Sequence, residues 1–324
     1  MTATITATVD IKNPSPQVIS QAAGIIRAGG LVAFPTETVY GLGADALNAE
    51  AVAKIYEAKG RPSDNPLILH VHTIAQATFL ADVNEAALSL MRKFWPGPLT
   101  LVLPARSIIP AITRGGLETA ALRMPDNPVA LGLIRESGTA IAAPSANLSG
   151  RPSPTDAETV MRDMAGRIDM ILDGGSVRVG IESTVIDLTD PEHPLMLRPG
   201  GMPRQTIEAE LGARLGTPDS SGKKRSPGTH YRHYAPSLPV VIWHKGDVLP
   251  ENSAYIGIDV PENMDMSRAV IFASKEEYAR GLFAGLRKLE SLEVPCIAAQ
   301  LPEDEHGISE GLRDRIMRAA GSHI

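Results

Sequence analysis

GGLVAFPTETVYGLGADALNAEAVAKIYEAKGRPSDNP, residues 29–66, joins an apolar strand to a polar, glycine-punctuated loop and then to a short helix. Leu31-Val32-Ala33-Phe34 is an unbroken apolar run, which predicts a fully buried strand, and Pro35 ends it. Thr36, Glu37, Thr38 and Tyr40 then cluster polar groups just past a buried strand end, where a rigid scaffold presents working residues. Asn48 is placed to cap a helix over residues 49–59, and Gly60 to close it. Lys59 and Arg61 leave that helix end on a loop stiffened by Pro62 and Pro66.

Outward from this stretch, strand and helix signals alternate. Upstream, residues 16–28 read as a helix capped by Ser15 and stopped by Gly29-Gly30. Downstream, strands are expected at residues 67–71, 99–103, 120–123, 141–143, 170–172, 184–188 and 195–197. Helices are expected at residues 85–93, at 128–137, and from a Thr155 cap to Met164. Many strands, fewer helices and short connections predict an α+β fold built on a twisted mixed sheet. Residues 212–239 are rich in Gly, Ser, Pro and basic residues without an apolar period, which predicts a linker. Residues 240–324 then read as a smaller, Rossmann-like α/β domain, with strands at 240–243, 255–258, 269–272 and 296–299. Its helices follow Ser274, with capping-box spacing, and span 311–320. The expected division is therefore 1–211, 212–239 and 240–324.

Composition narrows the function. A chain of 324 residues exceeds most single cores, in line with two domains. A hydrophobic share of 43% and a charged share of 21% describe an ordinary globular protein. The net charge of −6 provides no broad basic field, which argues against tight non-specific nucleic-acid binding. Cys296 is the only cysteine, so no intramolecular disulfide can form. The N-terminal residues lack a basic segment followed by an apolar one, and no apolar run is long enough to span a membrane. A soluble, cytoplasmic protein is expected.

The candidate chemistry is carried by several short blocks. Lys59 and Arg61 offer a point charge and a bidentate fork, a pairing that suits a polyphosphate, although such pairs are commonly solvated surface charges. Residues 141–150, IAAPSANLSG, run from a buried strand into a Ser/Asn-rich turn that is either a plain Asx or Ser turn or a second polar wall. Arg123 ends an apolar strand and pairs either with an internal carboxylate or with that of a ligand. His70 sits among apolar neighbours at a strand end, as a hydrogen-bonded structural histidine does. Ser183 and Arg198 are strand-edge polar residues. The linker run His230-Tyr231-Arg232-His233-Tyr234 reads better as an anion-facing flap than as a metal cluster. Gly41-x-Gly43-x-x-Ala46 imitates a dinucleotide fingerprint without its tight strand-to-helix turn, and no P-loop pattern exists.

Pro35-Thr36-Glu37-Thr38-Val39-Tyr40-Gly41-Leu42-Gly43, Lys59-x-Arg61 and Pro144-Ser145-Ala146-Asn147-x-Ser149-Gly150 together resemble the signature blocks of the YrdC-like threonylcarbamoyl-AMP synthases. The resemblance extends through Glu182-Ser183-Thr184, Leu197-Arg198-Pro199-Gly200, Ser226-Pro227-Gly228 and His233-Tyr234-Ala235-Pro236, the marks of the long, two-domain form. It implies an enzyme that joins L-threonine, bicarbonate and ATP into threonylcarbamoyl-adenylate and pyrophosphate. A partner transferase would then modify adenosine 37 of tRNA, with no stable tRNA binding by this chain. By motif match, Lys59, Arg61, Ser145 and Asn147 form the catalytic set. Thr36, His70, Arg123, Ala143 and Ser183 would hold L-threonine, with Arg123 taking its carboxylate. Ser63, Thr113, Ser153, Arg198 and Tyr234 would join Lys59 and Ser145 on ATP. Magnesium would ride on the phosphates, with no dedicated protein site. Tyr234, preceded by Arg232 and His233, would close over the site as a lid. Two other readings are an RNA-binding or regulatory module on the same fold, specifically for double-stranded RNA, and a carbamoyl transfer such as that of hydrogenase maturation. The second needs zinc-finger segments for which a single-cysteine chain has no room.

Overall fold

The computed structural model describes residues 3–218 and 234–321. The larger part runs β1 (Ile5–Thr8), α1 (Pro16–Arg27), β2 (Val32–Phe34), β3 (Gly41–Asp45), α2 (Ala49–Lys59), β4 (Ile68–His70), α3 (Ile74–Leu80) and α4 (Glu85–Phe94). It continues with β5 (Leu99–Pro104), β6 (Thr119–Arg123), α5 (Pro128–Ser137), β7 (Ile141–Ala142), α6 (Ala157–Met164), β8 (Met170–Asp173), β9 (Thr184–Asp187), β10 (Leu195–Arg198) and α7 (Arg204–Leu211). The smaller part has β11 (Val240–Trp243), β12 (Ala254–Gly257), β13 (Ala269–Ile271), α8 (Lys275–Leu289), β14 (Ile297–Gln300) and α9 (Ser309–Ala319).

Ten strands form one mixed sheet in the order β1-β8-β2-β3-β7-β4-β6-β5-β9-β10. Its centre is buried on both faces, which is why β2 reads as a continuous apolar run. Val32 and Phe34 pack with α1 and α5, while Ala33 joins the main core on the other face. The four strands of the smaller part make a parallel sheet in the order β11-β14-β12-β13, the expected α/β arrangement.

Local chemistry sets several boundaries. Asn48 caps α2 by accepting from the Glu50 and Ala51 amides, and Gly60 ends it at φ 61°. Ser274 caps α8 through the Glu277 amide. Ser15 makes no side-chain cap bond, and Asp156, not Thr155, caps α6.

The glycine-punctuated segment after Tyr40 is not a loop. Gly41–Asp45 is a strand antiparallel to β2, with Gly43 opposite Val32. A Cβ on Gly43 would lie 2.7 Å from Ile141 Cγ2 and 2.8 Å from Phe34 Cε1, so the glycine makes room for core side chains and does not mark a turn. The elements β1, α3 and α7 also lie where the sequence offered no expectation. The first residues of the expected linker fold onto the larger part: Leu215 is buried in its main core, and Gly216 bonds to Pro194 and Met196. Most of the remaining linker, Arg232 and His233 included, falls outside the described residues.

Candidate active site

The site gathers at strand ends. β4 and β6 are parallel with His70 opposite Arg123, so the two side chains stand next to each other. A narrow cleft open to solvent is lined by Thr36, His70, Arg123, Ala143, Ser145 and Ser183, and by Arg61, Arg198 and Tyr234. Ile68 of β4 supplies apolar wall.

Lys59 is not a surface charge. It is the last residue of α2, is buried, and donates from Nζ to the carbonyls of Ser145 and Asn147, both at 2.5 Å. The Ser149 amide returns a bond to the Lys59 carbonyl, so α2 and the Ser/Asn turn are laced together. Burial, reinforced by the neighbouring Arg61, holds the Lys59 amine well below its usual range. Arg61 Nη2 donates to the carbonyls of Asn65 and Pro66 at 3.4 and 3.1 Å, and burial pulls its guanidinium down to about 10. Its Nε and the Asn147 Oδ1 are buried without a hydrogen-bond partner among the described residues.

On the other wall, the Thr36 hydroxyl donates to the Val39 carbonyl at 2.7 Å and accepts from the Thr38 amide at 3.1 Å, which fixes the turn beyond β2. Glu37 reaches Arg123 at 2.7 Å, with both side chains buried. The pair is an ion contact without hydrogen-bond alignment, so both carboxylate oxygens and Arg123 Nη2 remain without a hydrogen-bond partner among the described residues. Arg123 thus takes an internal carboxylate, and a ligand carboxylate would have to share it. His70 Nδ1 is likewise without a partner.

Ser183 and Arg198 meet across the β9–β10 hairpin. The ladder carries a bulge between Met196 and Arg198, and such an extra residue re-aims its neighbours. Arg198 donates from Nη2 to the Ser183 carbonyl at 2.9 Å. The Ser183 and Thr100 hydroxyls share a 2.7 Å bond.

Not every expected residue reaches the cleft. Ser63 is exposed on the turn after α2. Thr113 is buried and spends its hydroxyl on the Ala46 carbonyl at 2.9 Å. Ser153 bonds Glu182 at 2.5 Å from behind the wall. Lys59 and Asn147 lie beneath it. Sequence reasoning assigned no role to Glu182, which lines the cleft, or to Arg315 of α9, which holds it at 2.6 Å. The available signal was an arginine between Leu312 and Ile316 on the apolar face of the last helix.

A family model described as telomere recombination, of the Sua5, YciO and YrdC group, matches residues 24–200. A second, described as the C-terminal domain of threonylcarbamoyl-AMP synthase, matches residues 202–321. The threonylcarbamoyl-AMP synthase of Bacillus subtilis is 44% identical over 99% of this chain and 97% of its own. That of Pyrococcus abyssi is 46% identical over 94% of each. The chain belongs to the threonylcarbamoyl-AMP synthase family. Structures agree with this membership. The crystal structure of P. abyssi Sua5 complexed with L-threonine matches with a TM-score of 0.90 and 43% identity over 99% of both chains. The shorter E. coli YciO matches with a TM-score of 0.55 and 28% identity over 61% of this chain and 95% of its own.

Proposed function

We propose that this chain is the enzyme that condenses L-threonine, bicarbonate and ATP into threonylcarbamoyl-AMP and pyrophosphate in the cleft described above. The product would pass, in the cytoplasm, to a transferase acting on tRNA. Family membership over the full length supports the activity. The observation that carries the assignment to this cleft is its set of buried polar atoms without a hydrogen-bond partner among the described residues, including His70 Nδ1, Arg61 Nε and Arg123 Nη2, around a space walled by guanidinium groups. Such atoms are costly unless a ligand completes them.

The chemistry asks for positioning and charge, not for a covalent nucleophile. The threonine amine attacks bicarbonate, forming the N–C bond and releasing water. A carbamate oxygen then attacks the α-phosphorus, and the bond to pyrophosphate breaks. The reacting pair carries several negative charges, which Lys59, Arg61 and Arg198 would offset on the nucleotide side. Arg123 would serve the threonine carboxylate, with Glu37 as its standing partner. His70, held neutral, would accept a hydrogen bond from the amino acid, and Thr36, Ala143 and Ser183 would shape its pocket.

Magnesium belongs on the phosphates in this reading. The ion would be carried in by ATP, with few protein ligands. Bound there, it would supply charge neutralisation of the leaving pyrophosphate.

Pyrophosphate release from ATP and magnesium, with L-threonine and bicarbonate each added or withheld, tests the reading. Release that needs both and is lost in Lys59→Ala is expected. Release independent of threonine would overturn it.

A further inference from the structure

The second domain braces the cleft wall from behind. Arg315 of α9 is fully buried. Its Nε donates to Glu182 Oε2 at 2.6 Å, and its Nη1 donates to the Pro199 carbonyl at 3.0 Å. Glu182 precedes Ser183, and Pro199 follows Arg198, so a single guanidinium ties together the two strands whose ends contribute those cleft residues. The same guanidinium lies 5.3 Å from the centre of the Tyr234 ring, within cation–π range. Tyr234 is stacked on Phe283 of α8 at 5.3 Å.

The backbone contact beneath is equally close. A Cβ on Gly200 would lie 2.3 Å from the Glu182 carbonyl oxygen, and one on Gly311 would lie 2.9 Å from Gly200 Cα. Helix α9 therefore sits directly on the β9–β10 turns, and glycine is required on both sides. A second arginine repeats the device: Arg287 of α8 donates to the Pro152 carbonyl at 2.6 Å and to Asp163 at 2.7 Å, beside the Ser/Asn turn. Burial alone would raise the Glu182 carboxyl, but Arg315 and then Arg198 hold it below its ordinary value. Glu182 is thus an ionised, immobile anchor.

We propose that Arg315 is a positioning residue through which the second domain sets the nucleotide end of the cleft. It would fix Arg198 by way of Pro199 and hold the Tyr234 ring as part of the wall. The inference rests on the functional reading above and gives the C-terminal domain a part in it. L-threonine would be held largely by Thr36, His70 and Arg123, on elements that Arg315 does not touch, and of its pocket residues Ser183 alone adjoins Glu182, so the larger effect should fall on the nucleotide.

The test uses the full chain and calorimetric titration of two probes, α,β-methylene-ATP with magnesium and L-threonine. The variants are Arg315→Lys, which keeps the charge but loses the fork, and the double variant Glu182→Gln with Arg315→Met. Arg315 Nη1 also meets the buried Asp314, which the double variant leaves paired with Arg318 at 2.9 Å, and thermal unfolding verifies that the variant folds. Both should bind the nucleotide about tenfold or more weakly, the cost of losing charged hydrogen bonds, while threonine affinity changes less than about twofold. Wild-type nucleotide affinity in the folded double variant would overturn the proposal, because Arg315 would then only balance Glu182. Equal weakening of both ligands would overturn it too, as a general loss of fold. If wild type binds nucleotide in an Arg315-dependent way yet releases no pyrophosphate with threonine and bicarbonate, the synthase reading falls and the positioning role stands. If wild type binds no nucleotide, both fall.

Discussion

His70 and Arg123 are register partners on parallel strands, so an imidazole and a guanidinium share one end of the cleft. Burial, and after it the charge of Arg123, pushes His70 down to about 3. The ring is therefore a neutral acceptor across the working range, with Phe34 edge-on at 6.1 Å.

The sign of the resulting pH dependence follows from linkage. Between pH 3 and 6.5 the unfolded chain holds a proton on this histidine that the native chain does not, so stability rises with pH there and is lost as pH falls below 6.5. The single group contributes a slope of about 1.4 kcal/mol per pH unit inside that window. Urea unfolding at pH 7, 6 and 5 should show His70→Asn losing less stability on acidification than wild type. Parallel curves for the two proteins would contradict this.

Lys59 gives an opposite coupling, to ligand. Its amine is held low by burial and by Arg61 while it donates to two carbonyls, and a bound polyphosphate would favour its charged form. Nucleotide titrations at pH 9 in two buffers of different ionisation enthalpy should reveal proton uptake, absent in Lys59→Met. The same variant should lose about 10²-fold or more in kcat/KM, as expected when the donor that holds the Ser145 and Asn147 carbonyls, and with them the cleft wall, is removed.

Gly311 offers a test of how tightly the domains are seated. Gly311 lies in the first turn of α9, where an alanine would gain at most about 1 kcal/mol of helix propensity, the value of an interior site. Here its Cβ would meet Ile181 Cδ1 at 2.8 Å and the Gly200 carbonyl oxygen at 2.9 Å. Overpacking of that kind costs about 1–3 kcal/mol. Gly311→Ala should lower the melting temperature and weaken nucleotide binding. A more stable variant with unchanged affinity would mean that α9 can shift freely.

What the sequence displayed well were the groups whose local pattern and spatial role coincide. The buried run before Pro35, the Asn48 cap and the Gly60 stop follow from short-range chemistry, and the mixed and parallel sheets follow from their spacing. What it concealed depends on partners far along the chain. Gly41 and Gly43 read as punctuation because the Phe34 and Ile141 side chains that need their space are invisible to a local pattern. Lys59 and Arg61 read as loop cations, since only the fold brings the Ser145 and Asn147 carbonyls over the end of α2. Thr113 carries a hydroxyl suited to a phosphate, yet the Ala46 carbonyl claims it. Arg315 is the clearest case: its partner Glu182 lies 133 residues away, in the other domain.

Tyr234 closes the cleft on the linker side and does so in a constrained backbone. Its φ of 66° is in the left-handed region, where a bulky residue is uncommon and carries strain. The strain is compensated by the Phe283 stack, the Arg315 contact and the bond from the Ala235 amide to the Gly150 carbonyl at 2.9 Å. A ring so held would exclude water from an adenylate bound in the cleft. Tyr234→Ala should therefore uncouple the two products, with pyrophosphate still formed but less threonylcarbamoyl-AMP recovered per pyrophosphate, while Tyr234→Phe keeps the ratio near that of wild type. Chromatographic measurement of both products in one reaction decides it, and an unchanged ratio in the alanine variant would show that the ring has no shielding role.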